Sequence, residues 1–316
     1  MIILKILRGF YIKIFSKGKL LEGRNWSFNS NKLYSNNLIY NILNSDNPCM
    51  IGRFGSNELN CVHNYLAIKN GDRNIISFIK GNTMQWWWNK NMLKLMQRNA
   101  GFFPATPENA ERFSELILQD MQELDVLGSW LNQEKAFTRT LKNVKRVVLE
   151  DLEPFFSDNP WTKALEGKKV LVVHPFSETI ESQYKKRELL FENNLLPAFE
   201  LITIKAVQSI GGENTEYKDW FEAFDGMKKQ IEATDFDICI LGCGAYGFPL
   251  AAHVKRMGKK AVHLGGVTQI LFGVIGSRWE NFVFWPYMNL FNEHWVRPED
   301  IEKPINANQV EGACYW

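Results

Sequence analysis

Three stretches of this chain combine residue types that do chemistry with spacings that could bring them to one place. The first is RFGSNE, Arg53 to Glu58, in which a cation precedes a glycine and a carboxylate follows it. Read as a strand end, a turn at Gly55 and a helix start carrying Ser56, Asn57 and Glu58, it gathers one cation, one carboxylate and free backbone N–H groups. That set suits an anionic ligand. The plainer account of Glu58 is a carboxylate that complements the helix dipole.

The second stretch is His174-Pro175-Phe176-Ser177-Glu178, which closes the apolar run KKVLVV. With Ser177 as N-cap, a helix N-terminus beside His174 could receive a phosphate; the alternative is a capped turn with a hydrogen-bonded histidine. The third runs from Asp237 to Gly266, and there Gly242, Gly244 and Gly247 spell G-x-G-x-x-G between the apolar run Ile238–Leu241 and a helix entered through Pro249. Gly258 should stop that helix, and the next strand, Lys260 to Leu264, ends in Gly265-Gly266. A dinucleotide site expects an acidic residue about 20 positions on, and the second strand offers His263 instead. Backbone at Gly242, Gly244 and Ala245 could still approach another phosphate-bearing ligand, and ordinary glycine packing explains the same spacing.

Positioning these stretches requires strands and helices in alternation. Strands are expected near 48–54, 126–130, 146–149, 169–174, 199–205, 238–241 and 260–264, and helices near 38–44, 56–67, 83–100, 106–124, 177–193, 219–233 and 268–274. That order predicts an α/β fold with a mostly parallel, doubly covered, Rossmann-like sheet, whose strand ends share one edge. Thr106-Pro107 is a strong helix start. Trp86, Trp87 and Trp88, placed on the expected 83–100 helix, would fan around it and leave at least one indole for a groove, a sugar or an interface.

The chain has 316 residues, 45% of them apolar, so length allows one large or two smaller domains. A net charge of +2, with no long basic run interleaved with aromatics, argues against a nucleic-acid partner. Cysteines at 49, 61, 239, 243 and 314 show neither CxxC nor zinc spacing and read as buried, reduced thiols of a cytoplasmic protein. Met1 to Lys19 carries Lys5, Arg8, Lys13, Lys17 and Lys19 and no acid. Its face of Ile3, Leu4, Leu7, Phe10, Tyr11, Ile14 and Phe15 suits an anionic membrane surface at the inner leaflet, or else packing on the domain or a partner subunit. Interrupted by charges, it is neither a transmembrane span nor a signal peptide. Residues 1–37 therefore read as a basic helical extension and polar linker, and 38–316 as the folded domain.

Taken together, RFGSNE, VVHPFSETIESQ from Val172, ILGCGAYGFPLAAHVKRMGKKAVHLGG and the aromatic tail NEHWVRP…VEGACYW resemble the bacterial glycosyltransferases of GT-D fold, over roughly Asn47 to Trp316. Those enzymes build surface polysaccharides and protein-linked glycans. The resemblance implies transfer of a sugar from a nucleotide-sugar, with UDP as the expected carrier, to a polysaccharide or lipid-linked acceptor. It implies Glu58 as metal ligand or donor-sugar contact beside Arg53, Gly55 and Ser56. It further implies Gly242, Gly244 and Ala245 at the nucleotide, His174 and Ser177 at a phosphate or sugar, and manganese or magnesium as cofactor. The family motif commonly reads R-F-G-D-G-E; Ser56 replaces its aspartate and Asn57 its glycine, so only Glu58 carries over. Two rivals accompany this expectation: a non-catalytic nucleotide-sugar-binding or scaffold protein of the same fold, and an NAD(P)-dependent oxidoreductase using the glycine loop.

Overall fold

The structure, a computed structural model, describes residues 2–15, 31–71, 73–210, 215–280 and 285–316. Seven strands form one parallel sheet: β1 (Cys49–Gly52), β2 (Val126–Ser129), β3 (Lys145–Val148), β4 (Lys169–His174), β5 (Glu200–Lys205), β6 (Ile238–Leu241) and β7 (Lys260–His263). Their order is β3-β2-β1-β7-β6-β4-β5. The α/β, Rossmann-like expectation holds.

Alternate residues of the central strands enter two separate cores, as side chains of period two must when both faces are covered. Met50, Leu171, Val173, Cys239, Leu241 and Ala261 face one core, against helices Ser56–Lys69, Lys90–Ala100, Pro107–Asp120, Trp220–Glu232 and Gly247–Arg256. Ile51, Val170, Val172, Ile238, Ile240 and Val262 face the other, with helices Lys32–Asn44, Ser177–Tyr184 and Thr268–Leu271. Burying a side chain of this kind stabilises the fold by about 1.5–3 kcal/mol. All five cysteines are free and buried.

Some boundaries depart from expectation. The first domain helix starts at Lys32, where the Asn31 side chain accepts from the Tyr34 N–H, and not near Leu38. Residues 31–37 of the expected linker thus belong to the cap and first turns of that helix, and 24–30 lie outside the described residues. Residues 83–89 are not helical, because Asn89 caps a helix that begins at Lys90. The three indoles sit in the preceding turn, where Trp86 and Trp87 pack on Phe78 and Trp88 stacks on Tyr65. The expected 177–193 helix breaks into Ser177–Tyr184 and Arg187–Leu190.

The Ile2–Phe15 helix lies against the Ile75–Ile79 helix and the turn after it, held by Arg8, whose Nη1 donates to the carbonyls of Phe78 (2.9 Å) and Thr83 (2.7 Å). Among the described residues no helix is long and apolar enough to cross a membrane.

Candidate functional site

In a parallel sheet the strands share one carboxyl edge, and a crevice opens where outgoing connections diverge. The connection from β4 leads outward to β5 and that from β6 leads the other way to β7, so the crevice falls between His174 and Gly242. A cavity of about 810 Å³ occupies this edge and extends to the ends of β1 and β7. Arg53, Gly55, Ser56, Glu58, His174, Gly242 and Gly244 all line it; Ser177 and Ala245 do not.

Arg53, the residue after β1, is half-buried, with its guanidinium 4.9 Å from the centre of the Trp130 ring. Trp130 is fixed in turn by its indole N–H, which donates to the Phe54 carbonyl at 2.9 Å. Burial lowers the Arg53 pKa and Glu58 opposes it; a guanidinium stays charged through such a shift. The Glu58 carboxylate folds back over Gly55, so that a Cβ at Gly55 would collide with it. Burial raises the Glu58 pKa, against its own backbone N–H and the Arg53 charge. Glu58 is thus both a carboxylate over its own helix start and a lining group of the cavity.

Neither cavity histidine supplies charge. His174 Nδ1 accepts the Phe176 N–H at 3.0 Å, which leaves its proton on Nε2, and burial holds its pKa down at about 3. His263 Nδ1 lies 3.2 Å from the Leu241 carbonyl, an acceptor only, so its proton sits on Nδ1; burial first, then Arg53, lowers its pKa to about 3.

The expected phosphate seat at Ser177 is filled by the chain itself. Ser177 is the first residue of its helix and not the cap. The buried Glu302 carboxylate accepts the N–H groups of Glu178 at 2.8 Å and Thr179 at 3.3 Å, and the Thr179 hydroxyl as well. His174 accepts the Phe176 N–H in the turn before that helix.

Sequence reasoning missed the second arginine. Arg278 lies in an irregular segment after β7, where no periodicity marks it. Its guanidinium stands 4.6 Å from the centre of the Tyr315 ring and donates to the Tyr315 hydroxyl at 3.2 Å and to the Glu311 carboxylate. It lines the same cavity as Arg53, close enough that the two charges repel. Trp279, Tyr315 and Trp316 add aromatic wall.

No known protein family, curated protein or solved structure matches this chain.

The glycine fingerprint is explained by packing. A Cβ at Gly242 would meet Thr268 Oγ1 at 2.6 Å and the Gly265 carbonyl at 2.7 Å, and one at Gly244 would meet the Ala100 carbonyl at 2.9 Å. A Cβ at Gly247 would strike the His263 ring. All three glycines thus admit the protein's own atoms, which removes the motif's support for a dinucleotide. The expected metal does not fit either. Glu58 has only the Ser56 hydroxyl beside it in the motif, and among the described residues no group of three or more His, Cys, Asp or Glu gathers to hold an ion.

Proposed function

We propose that this chain is a glycosyltransferase whose cavity binds a nucleotide-sugar and passes the sugar to a polysaccharide or lipid-linked glycan. The observation that carries the reading is the pair Arg53 and Arg278, two guanidinium groups on one cavity with aromatic rings beside both. Arginines offer paired N–H donors to phosphate oxygens, and indole or phenol faces stack on a base or sugar.

In the reaction, the acceptor hydroxyl oxygen bonds to the anomeric carbon, the bond from that carbon to the diphosphate oxygen breaks, and the diphosphate leaves with the electron pair. Arg53 and Arg278 meet the charge that grows on it, the effect that preorganised cations supply best in a dry site. Glu58 takes the acceptor proton, a role helped by the burial that raises its pKa. No step here runs through a metal.

A second reading, a nucleotide-sugar-binding module without transfer, is favoured by Ser56 and by the Glu58 carboxylate lying on its own helix start. One experiment separates them. The protein is incubated with UDP-, GDP-, CMP- and dTDP-sugars, with and without manganese, and both thermal shift and nucleotide release are recorded. The enzyme reading expects stabilisation and release with one donor, with release lost in Glu58→Gln and stabilisation kept. Stabilisation without release in wild type supports the module, and no stabilisation by any donor overturns both.

A further inference from the structure

The amphipathic face expected at the N-terminus is divided by the structure. Leu4, Arg8, Tyr11 and Ile12 turn toward the domain and are half-buried, while Ile2 (77% exposed), Ile3 (71%), Phe10 (64%) and Phe15 (69%) stand out in solvent with Ile6, Leu7 and Ile14. At 100° per residue, Ile2, Ile6, Phe10, Ile3, Ile14 and Leu7 span an outward arc of roughly 140°. Lys13 lies within that arc and Lys5 beside it, both exposed. The neighbouring helix adds Ile75 and Ile76, 50% and 66% exposed. Two facts hold this surface in place: Arg8 is tied to the Phe78 and Thr83 carbonyls, and the Phe78 ring is enclosed by Arg8, Trp86 and Trp87.

We propose that these two helices form one docking surface for an anionic lipid bilayer, on which the chain lies by its apolar arc with the lysines at the headgroups. The occupant is chosen by charge. The Ile2–Phe15 helix presents Lys5 and Lys13 on or beside this face and contains no Asp or Glu, so a second copy presenting the same face would meet like charge, whereas anionic headgroups complement it. Arg8 spends its side chain on the domain, which fixes the helix as a built part of the surface rather than a loose tether. The proposal stands apart from any sugar chemistry.

Flotation of the full chain with vesicles of phosphatidylcholine alone, and of phosphatidylcholine and phosphatidylglycerol in equal parts, tests it. Binding is expected to the anionic vesicles, roughly tenfold or more stronger than to the neutral ones, and to weaken with salt. Leu7→Glu with Phe10→Glu should abolish it, and Ile75→Glu with Ile76→Glu should weaken it, with the melting temperature unchanged because these side chains are exposed. Lys5→Glu with Lys13→Glu should remove the preference for anionic lipid. Absence of flotation in wild type, or flotation untouched by Leu7→Glu with Phe10→Glu, overturns the proposal. So does a dimer in sedimentation that those two substitutions convert to monomer, since the face would then be a subunit contact.

Discussion

Glu302 holds Thr179 by both its backbone N–H and its hydroxyl, and so places a carboxylate at the helix start that follows β4. A ligand phosphate is excluded from that position by charge as well as by space. On the proposed reading, anion recognition in the cavity falls to Arg53 and Arg278, both of which line it.

Glu302→Gln is expected to cost about 1–3 kcal/mol of stability, because an amide keeps the shape but loses charge-assisted acceptance and leaves an N–H₂ unmatched. Affinity for a nucleotide diphosphate should stay the same. Urea midpoints together with a UDP titration check both halves; weakened binding at unchanged stability would return the helix start to the ligand site.

Gly244→Val should act on the fold rather than on a ligand. Gly244 has φ of 56°, and its missing Cβ leaves room for the Ala100 carbonyl. A β-branched residue there combines left-handed strain with a backbone clash, for a loss of roughly 2–4 kcal/mol. Chemical denaturation measures it, and a stable variant that fails only in ligand binding would restore a phosphate role to the glycine loop.

Arg278→Lys should weaken binding of a nucleotide diphosphate by roughly tenfold or more, because a lysine cannot offer the paired donors or stack on Tyr315. Arg53→Lys should do the same and also disturb the Trp130 contact. Calorimetric titration with UDP and inorganic pyrophosphate gives the readout. Unchanged affinity in Arg278→Lys removes it from the site.

The two cavity histidines make stability depend on pH. In the unfolded chain each takes a proton near pH 6.5, whereas in the fold burial holds both pKa values at about 3. Their stabilising contribution is therefore complete above pH 6.5 and falls as pH drops from there toward 3, since the unfolded state binds more protons. Lowering pH from 7.5 to 5.5 should cost about 1.4 kcal/mol per histidine. Denaturant midpoints at the two pH values test this, and His174→Gln should remove about 1.4 kcal/mol of the total effect.

The sheet could be read because parallel strands covered on both faces are continuous apolar runs: Lys169–His174 and Ile238–Leu241 form as their sequences suggest. Thr106 and Pro107 likewise start their helix, with the Thr106 hydroxyl accepting the Asn109 N–H. The tryptophan run was misplaced because Asn89 caps the following helix, a local competition that apolar periodicity does not reveal. Glu302 and Arg278 escaped notice for a different reason. Each acts through a partner far along the chain or within an irregular segment, Glu302 on Thr179 and Arg278 on Tyr315. Nothing in their neighbours' sequence announces it.

The position of β7 governs how this protein comes into being on the ribosome. β7 lies between β1 and β6 and pairs with both, joining Met50 to Ala261 and Ile240 to Val262. While the chain is being made, β1 to β3 can associate as one sheet and β4 to β6 as another, but the two have no shared edge until Lys260–His263 has emerged. From the emergence of β4 until that of β7 the growing chain carries two open, apolar strand edges, the state most exposed to wrong pairing. In the folded sheet β7 brings the ends of β1 and β4 to one cavity, so a ribosome-bound chain halted before Lys260 is expected to lack that cavity.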